Sequence, residues 1–119
     1  MKKLNFILKN ADNIICNDTF NYITNLIGNT FMYESKKVTF CGEKNKLFFK
    51  SEDNECSFVL EYNENSTNAF IELKNVGMKF DLNITDFEYK YVDGNIILKY
   101  NIEGDEKNIK TIQITYWHS

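Results

Sequence analysis

The sequence predicts an all-β fold, an antiparallel up-and-down meander that closes into a β-barrel. Three observations predict it. Phe, Tyr, Val, Ile and Thr recur in short alternating runs separated by polar turn residues, the signature of half-buried strands. Asp93-Gly94 stands between two such runs, and Asp-Gly is the strongest short-range hairpin signal. Folding consecutive runs onto one another sets opposite charges face to face at separate places: Glu72 with Lys79, Asp81 with Lys90, Glu88 with Lys99. Each such pair contributes only about 0.2–1 kcal/mol, so its value here is as register evidence.

The elements follow in chain order. Residues 3–9 form a first strand. The opening Met1-Lys2-Lys3 resembles the start of a signal peptide, but Asn5 interrupts the apolar stretch and Lys9 ends it, too soon for a signal core. Residues 20–27 satisfy two patterns. Phe20, Tyr22 and Leu26 share a strand face. Asp18 as a cap, Gly28 as a stop, and Phe20, Ile23 and Ile27 at helical spacing fit a helix. Both readings stand, with the strand preferred. Residues 36–41 and 45–50 form a hairpin in which Val38 and Phe40 face Phe49 and Leu47. Phe58, Leu60 and Tyr62 fold through a loop over 63–68 onto Leu73, Ile71 and Ala69. A turn at Lys74-Asn75-Val76-Gly77 sets Leu73 opposite Met78 and Ile71 opposite Phe80.

A turn at Thr85-Asp86 then sets Ile84 opposite Phe87, Leu82 opposite Tyr89, and Phe80 opposite Tyr91. The Asp-Gly turn sets Tyr91 opposite Ile96, Tyr89 opposite Leu98, and Phe87 opposite Tyr100. A last turn over 104–108 sets Tyr100, Leu98 and Ile96 opposite Ile112, Ile114 and Tyr116. In each pair a slip by one residue would turn the apolar set to the polar side. The count is about eight to ten strands with one apolar face. No strong amphipathic helix is available to cover that face. The sheet must therefore curl onto itself, and a barrel leaves no free edge. The whole chain, 1–119, is then a single β-barrel domain.

Composition narrows the partners. The chain has 119 residues, a net charge of −3, and 14 lysines with no arginine. Without guanidinium groups there is no bidentate clamp for phosphate. The lysines are spread along the chain, which argues against nucleic acid and against an anionic membrane surface. No apolar run is long enough to span a bilayer. The three cysteines, Cys16, Cys41 and Cys56, are widely spaced and contain no C-x-x-C, so they read as free thiols in a reducing, cytoplasmic setting. Sequons at Asn17, Asn65 and Asn83 carry no glycosylation reading in such a setting.

The stretch Gly77-Met78-Lys79-Phe80-Asp81-Leu82-Asn83-Ile84-Thr85-Asp86-Phe87, followed by Asp93-Gly94-Asn95-Ile96-Ile97-Leu98-Lys99-Tyr100-Asn101-Ile102, resembles the C-terminal part of the YwiB-like family, small bacterial proteins of unknown function. Gly77, Thr85, Gly94 and Tyr100 are the matching positions, and the resemblance runs over residues 77–117. It implies a calycin-like, lipocalin-like barrel and a bacterial protein. It implies no activity.

The chemistry is sparse. The single histidine, His118, lies beside the C-terminus, a poor place for a positioned base. Glu61, Glu72, Asp81, Glu88 and Glu103 lie in strands, and three of them face lysines, as solvated surface charge does. The five glycines are scattered, so no phosphate loop is present. No cofactor, no metal and no enzymatic activity is expected. The predicted inward face carries Phe80, Phe87, Tyr89, Tyr91, Leu98, Tyr100 and Tyr116, the candidate ligand-binding residues. An eight-stranded barrel either fills its interior with side chains or holds one small ligand. In a hollow barrel Tyr89 and Tyr100 would line the cavity and need hydrogen-bond partners there. The expected function is a non-enzymatic binding module for a small apolar ligand. The alternative is a protein-interaction module with a filled barrel, including an immunity or antitoxin role or a homodimer. It would use an outer face carrying Val59, Phe70, Val92 and Ile97.

Overall fold

Twelve strands run through the chain in the computed structural model, which describes residues 2–117, and no helix is present among them. They are β1 (Lys3–Asn10), β2 (Asn13–Asn21), β3 (Ile23–Thr24), β4 (Asn29–Tyr33), β5 (Lys36–Glu43), β6 (Lys46–Glu52), β7 (Cys56–Asn63), β8 (Ser66–Leu73), β9 (Met78–Leu82), β10 (Ile84–Val92), β11 (Asn95–Ile102) and β12 (Lys110–Tyr116). Every ladder is antiparallel. The strands make two open sheets, one of five in the order β10-β11-β12-β1-β2 and one of seven in the order β3 to β9. Neither sheet closes on itself among the described residues. The chain divides into two units: Tyr22–Asn83 holds the seven-stranded sheet, and the residues up to Asn21 with those from Ile84 onward hold the other.

In the five-stranded sheet, pairing carries one apolar set from strand to strand. Ile96 lies opposite Ile114, which lies opposite Phe6; Leu98 lies opposite Ile112, which lies opposite Leu8. Leu4, Phe6, Ile96, Leu98, Ile112 and Ile114 are buried, and each contributes roughly 1.5–3 kcal/mol through that burial. The Phe6 and Phe20 rings meet edge to face. The other face carries Asn5, Asn17, Thr19, Thr111, Gln113 and Thr115. It is tied locally by Asn5 Nδ2, which donates to the Asp18 carbonyl at 3.1 Å. Residues 20–27 are not helical: Phe20 and Asn21 end β2, and Ile23 and Thr24 form β3. Asp18 Oδ1 accepts from the Thr19 amide instead of capping a helix.

In the seven-stranded sheet, Phe40, Phe49, Leu60 and Ala69 form a buried row across β5 to β8, and Leu82 continues it on β9. Phe31 packs edge to face on Phe40. The opposite face is not purely polar. Thr30, Thr39, Ser57 and Val59 are buried there, with the two threonine hydroxyls 3.3 Å apart.

The registers at Lys74–Gly77 and at Asp93–Gly94 are as the sequence predicts: Leu73 faces Met78, Ile71 faces Phe80, Tyr91 faces Ile96, Tyr89 faces Leu98 and Glu88 faces Lys99. Three hairpins are shifted by two residues from the expected pairing. Phe40 faces Phe49, Leu60 faces Ala69, and Leu98 faces Ile112. At the first, the two-residue turn stands at 44–45, one residue beyond the 43–44 that the expected pairing implies. At the second, a two-residue turn at 64–65 replaces a longer loop, and Asn63 Oδ1 fixes it by accepting from the Asn65 amide at 3.1 Å. At the third, Asp105 and Asn108 coil the loop on itself, with the Asp105 amide on the Ile102 carbonyl. A shift of two keeps every side chain on its face.

The expected hairpin at Thr85-Asp86 does not form, and no ladder joins β9 to β10 among the described residues. The pairs Leu82–Tyr89, Phe80–Tyr91 and Asp81–Lys90 are therefore absent. Thr85 and Asp86 lie inside β10, where Asp86 and Phe87 together oppose Tyr100. This is a β-bulge, with Asp86 at φ 50°, a conformation that Asp tolerates better than most residues.

Candidate functional site

The seven residues expected to point inward are divided between the two units. Phe87, Tyr89, Tyr91, Leu98, Tyr100 and Tyr116 lie on β10 to β12, whereas Phe80 lies on β9. Tyr89 and Tyr91 share the apolar face with Leu98, Tyr100 and Tyr116 through the ladder. Phe87 sits in the bulge. Leu98 and Tyr100 are buried, Phe87, Tyr89 and Tyr116 are half-buried, and Tyr91 is 37% exposed. Burial pushes the Tyr100 phenol above its ordinary value, so it stays neutral. Tyr116 is fixed from both sides. Its amide donates to Asn95 Oδ1 at 2.9 Å, and its ring lies 3.6 Å from where a Gly94 Cβ would stand. Side chains thus occupy the middle of this face, and half-buried aromatic rings flank it.

A second cluster lies on the outermost hairpin of the seven-stranded sheet. Leu73, Val76, Met78 and Phe80 are 37%, 64%, 49% and 45% exposed. Leu73 faces Met78 and Ile71 faces Phe80 across the ladder, so three of the four share one face. β9 ends the sheet order, which leaves one side of its backbone unpaired by a strand among the described residues. The turn end of the hairpin is held firmly. Lys74 Nζ donates to Glu52 Oε1 at 2.9 Å and to the Asp53 carbonyl at 2.8 Å, and the Lys74 amide donates to the Glu55 carbonyl at 2.8 Å. That lysine is the main cause holding the Glu52 carboxyl below its ordinary value, with Lys50 adding to it. Asp53 Oδ1 accepts from the Cys56 and Glu55 amides, and those bonds lower its carboxyl too.

Sequence reasoning placed Leu73, Met78 and Phe80 on the apolar face, which the register bears out. It missed that this face ends in the open at β9, because an edge is a property of the sheet order. The expected outer patch of Val59 and Phe70 does not form. Val59 is buried, and the ammonium of Lys79 covers the Phe70 ring at 4.0 Å from its centroid. Val92 and Ile97 are exposed, as expected.

Other surfaces offer less chemistry. A shallow cleft of about 450 Å³ lies over the second face of the seven-stranded sheet, where Cys41, Phe48, Glu61 and Asn68 follow one another across the ladder. A wider one of about 690 Å³ lies between the 44–45 and 64–65 turns, lined by lysine, glutamate and asparagine side chains. No group of three or more His, Cys, Asp or Glu residues able to hold a metal is gathered among the described residues; His118 lies outside them. Among the described residues no helix is long and apolar enough to cross a membrane. No family model, no curated protein and no solved structure matches the chain.

Proposed function

We propose that the chain is a protein-interaction module whose contact surface is the β8–β9 hairpin with the free edge of β9. The observation that carries this is the adjacency of Leu73, Val76, Met78 and Phe80, each more than a third exposed, beside an unpaired strand edge. Single exposed apolar residues are ordinary. A cluster at a sheet edge combines main-chain hydrogen-bonding groups with alternate apolar side chains, the two things that strand addition by a partner uses. An immunity or antitoxin role is one form such contact takes. The free thiols of Cys16, Cys41 and Cys56 support a cytoplasmic setting. The test is a pull-down from the native organism with the wild-type chain and with Phe80→Lys as bait. Partners, including untagged copies of the chain, are expected on the wild type and lost on the variant. A set of partners indifferent to Phe80→Lys would refute the assignment.

A second reading keeps a calycin-like barrel that binds a small apolar ligand on the face of Phe87, Tyr89, Tyr91, Leu98, Tyr100 and Tyr116. Its support is the strand order. β1 pairs with both β2 and β12, so the two sheets read in sequence as one meander lacking only the β2–β3 and β9–β10 ladders. The YwiB-like resemblance over 77–117 points the same way. This reading requires Phe80 beside Tyr91. Interstrand nuclear Overhauser effects between β9 and β10, with a small-molecule adduct in native mass spectrometry, would establish it; their absence would leave the interaction module alone.

A further inference from the structure

We propose that the occupant of the β9 edge is a second copy of this chain, joined antiparallel about Phe80. The inference rests on the interaction-module reading and names its partner. β9 is Met78-Lys79-Phe80-Asp81-Leu82. A two-fold axis through Phe80 sets Met78 against the partner's Leu82, Phe80 against the partner's Phe80, and Lys79 against the partner's Asp81. The strand is thus self-complementary in both apolar content and charge, as the single patch of a two-fold dimer must be.

Three features of the edge favour this. All five residues of β9 are in continuous register with β8, so no bulge turns the edge away. No proline occurs anywhere in the chain. These are two of the devices by which edges are usually blunted. Asp81 lies opposite Phe70 within its own sheet, and it makes no ion pair among the described residues; a second copy would bring a lysine to it. A lysine on an edge is commonly a blocker. Here an aspartate two residues away, placed symmetrically about the central phenylalanine, converts it into a match. The pairing joins two seven-stranded sheets edge to edge. Its small contact area belongs to weak, concentration-dependent association.

The test is sedimentation equilibrium on the full chain and on two exposed charge variants, Lys79→Asp and Asp81→Lys. The wild type is expected to show a monomer–dimer equilibrium. Each variant sets like charges opposite one another twice and should raise the dimer Kd by about tenfold. An equimolar mixture of the two variants should recover a heterodimer with wild-type affinity, because each then supplies the charge the other lacks. Should either variant fold poorly, amide exchange on the unmodified chain replaces it, with residues 78–82 expected to slow as concentration rises. A wild type that stays monomeric, a dimer insensitive to both variants, or a mixture that forms no heterodimer would each overturn the proposal. In any of those cases, a foreign partner that is captured by the wild type and lost on Phe80→Lys would leave the parent reading intact.

Discussion

Gly28 occupies a place that no other residue can fill. A Cβ there would collide with the Phe40 carbonyl oxygen and lie 3.1 Å from the Cys41 Cβ. Both neighbours belong to β5, in the middle of its ladder, and cannot retreat. The φ of Gly28, 154°, is also one that side chains rarely adopt. Gly77, at φ 66°, lies in the left-handed region that Ala11 and Glu34 also occupy, and has nothing within 4 Å of its missing side chain. Crowding and backbone strain thus combine at Gly28, and only a mild strain acts at Gly77. Gly28→Ala is expected to lose about 2–3 kcal/mol in urea unfolding, and Gly77→Ala only about 1 kcal/mol. Equal losses would show that the contact with β5 adds nothing at Gly28. Glu52 gives a prediction in pH. Its carboxyl is lowered in the folded state, chiefly by Lys74, from an ordinary value of 4.5. The stabilisation it supplies is therefore complete above that value and is lost as pH falls through the lowered one. Glu52→Gln should flatten this part of the acid limb of a stability profile and leave the neutral limb with the same slope. An unchanged acid limb would mean the Lys74 contact is not maintained in solution.

Turn chemistry decided which elements the sequence revealed. Asp93 and Gly94 both have positive φ, 52° and 86°, as a two-residue hairpin turn of this type requires. The register read from that dipeptide held from Tyr91 to Glu88. Glycine-free turns at 44–45 and 64–65 carry no such signal, and the pairing read from them was two residues out. Faces survived that error because side chains alternate with period two. The same two polar residues, Thr85-Asp86, suit a bulge as well as a turn, and β10 continues through them to Val92. β2 went unread over residues 13–19, where Asn13, Asn17 and Asp18 break the apolar alternation. The candidate site was legible as a face, through Met78 and Phe80, but not as an edge, since no local pattern tells a strand that it is last. The bulge itself can be tested. Asn101 Nδ2 lies 3.4 Å from Asp86 Oδ2, a long contact. Asp86→Gly should therefore keep stability within roughly 0.5 kcal/mol, whereas Asp86→Val, β-branched at positive φ, should cost about 1–3 kcal/mol. A tolerated valine would place Asp86 in ordinary extended backbone.

Across the whole molecule, the two units differ in how far along the chain their partners lie. The seven-stranded unit is contiguous, Tyr22–Asn83, and each of its strands pairs with its neighbour in sequence. The other unit is completed by β1 against β12, with Leu4 opposite Tyr116. Local pairing closes small loops, and pairing across the chain closes a very large one, which slows folding. Quenched hydrogen exchange during refolding should protect amides of β5 to β8 before those of β1 and β12. Simultaneous protection would mean that the two units fold as one cooperative block.

The β1–β12 ladder has a further consequence on the ribosome. Translation delivers β12 only after β2 to β11, so β1 must wait for all the intervening strands to be made. Through that interval Leu4 and Phe6, both buried in the finished fold, are denied one of their two flanking strands. The nascent chain thus carries a sticky segment ahead of a growing middle whose strands pair with their neighbours in sequence. Such a segment is a natural client for a holdase, and its exposure time is set by elongation rate, not by the intrinsic speed of folding.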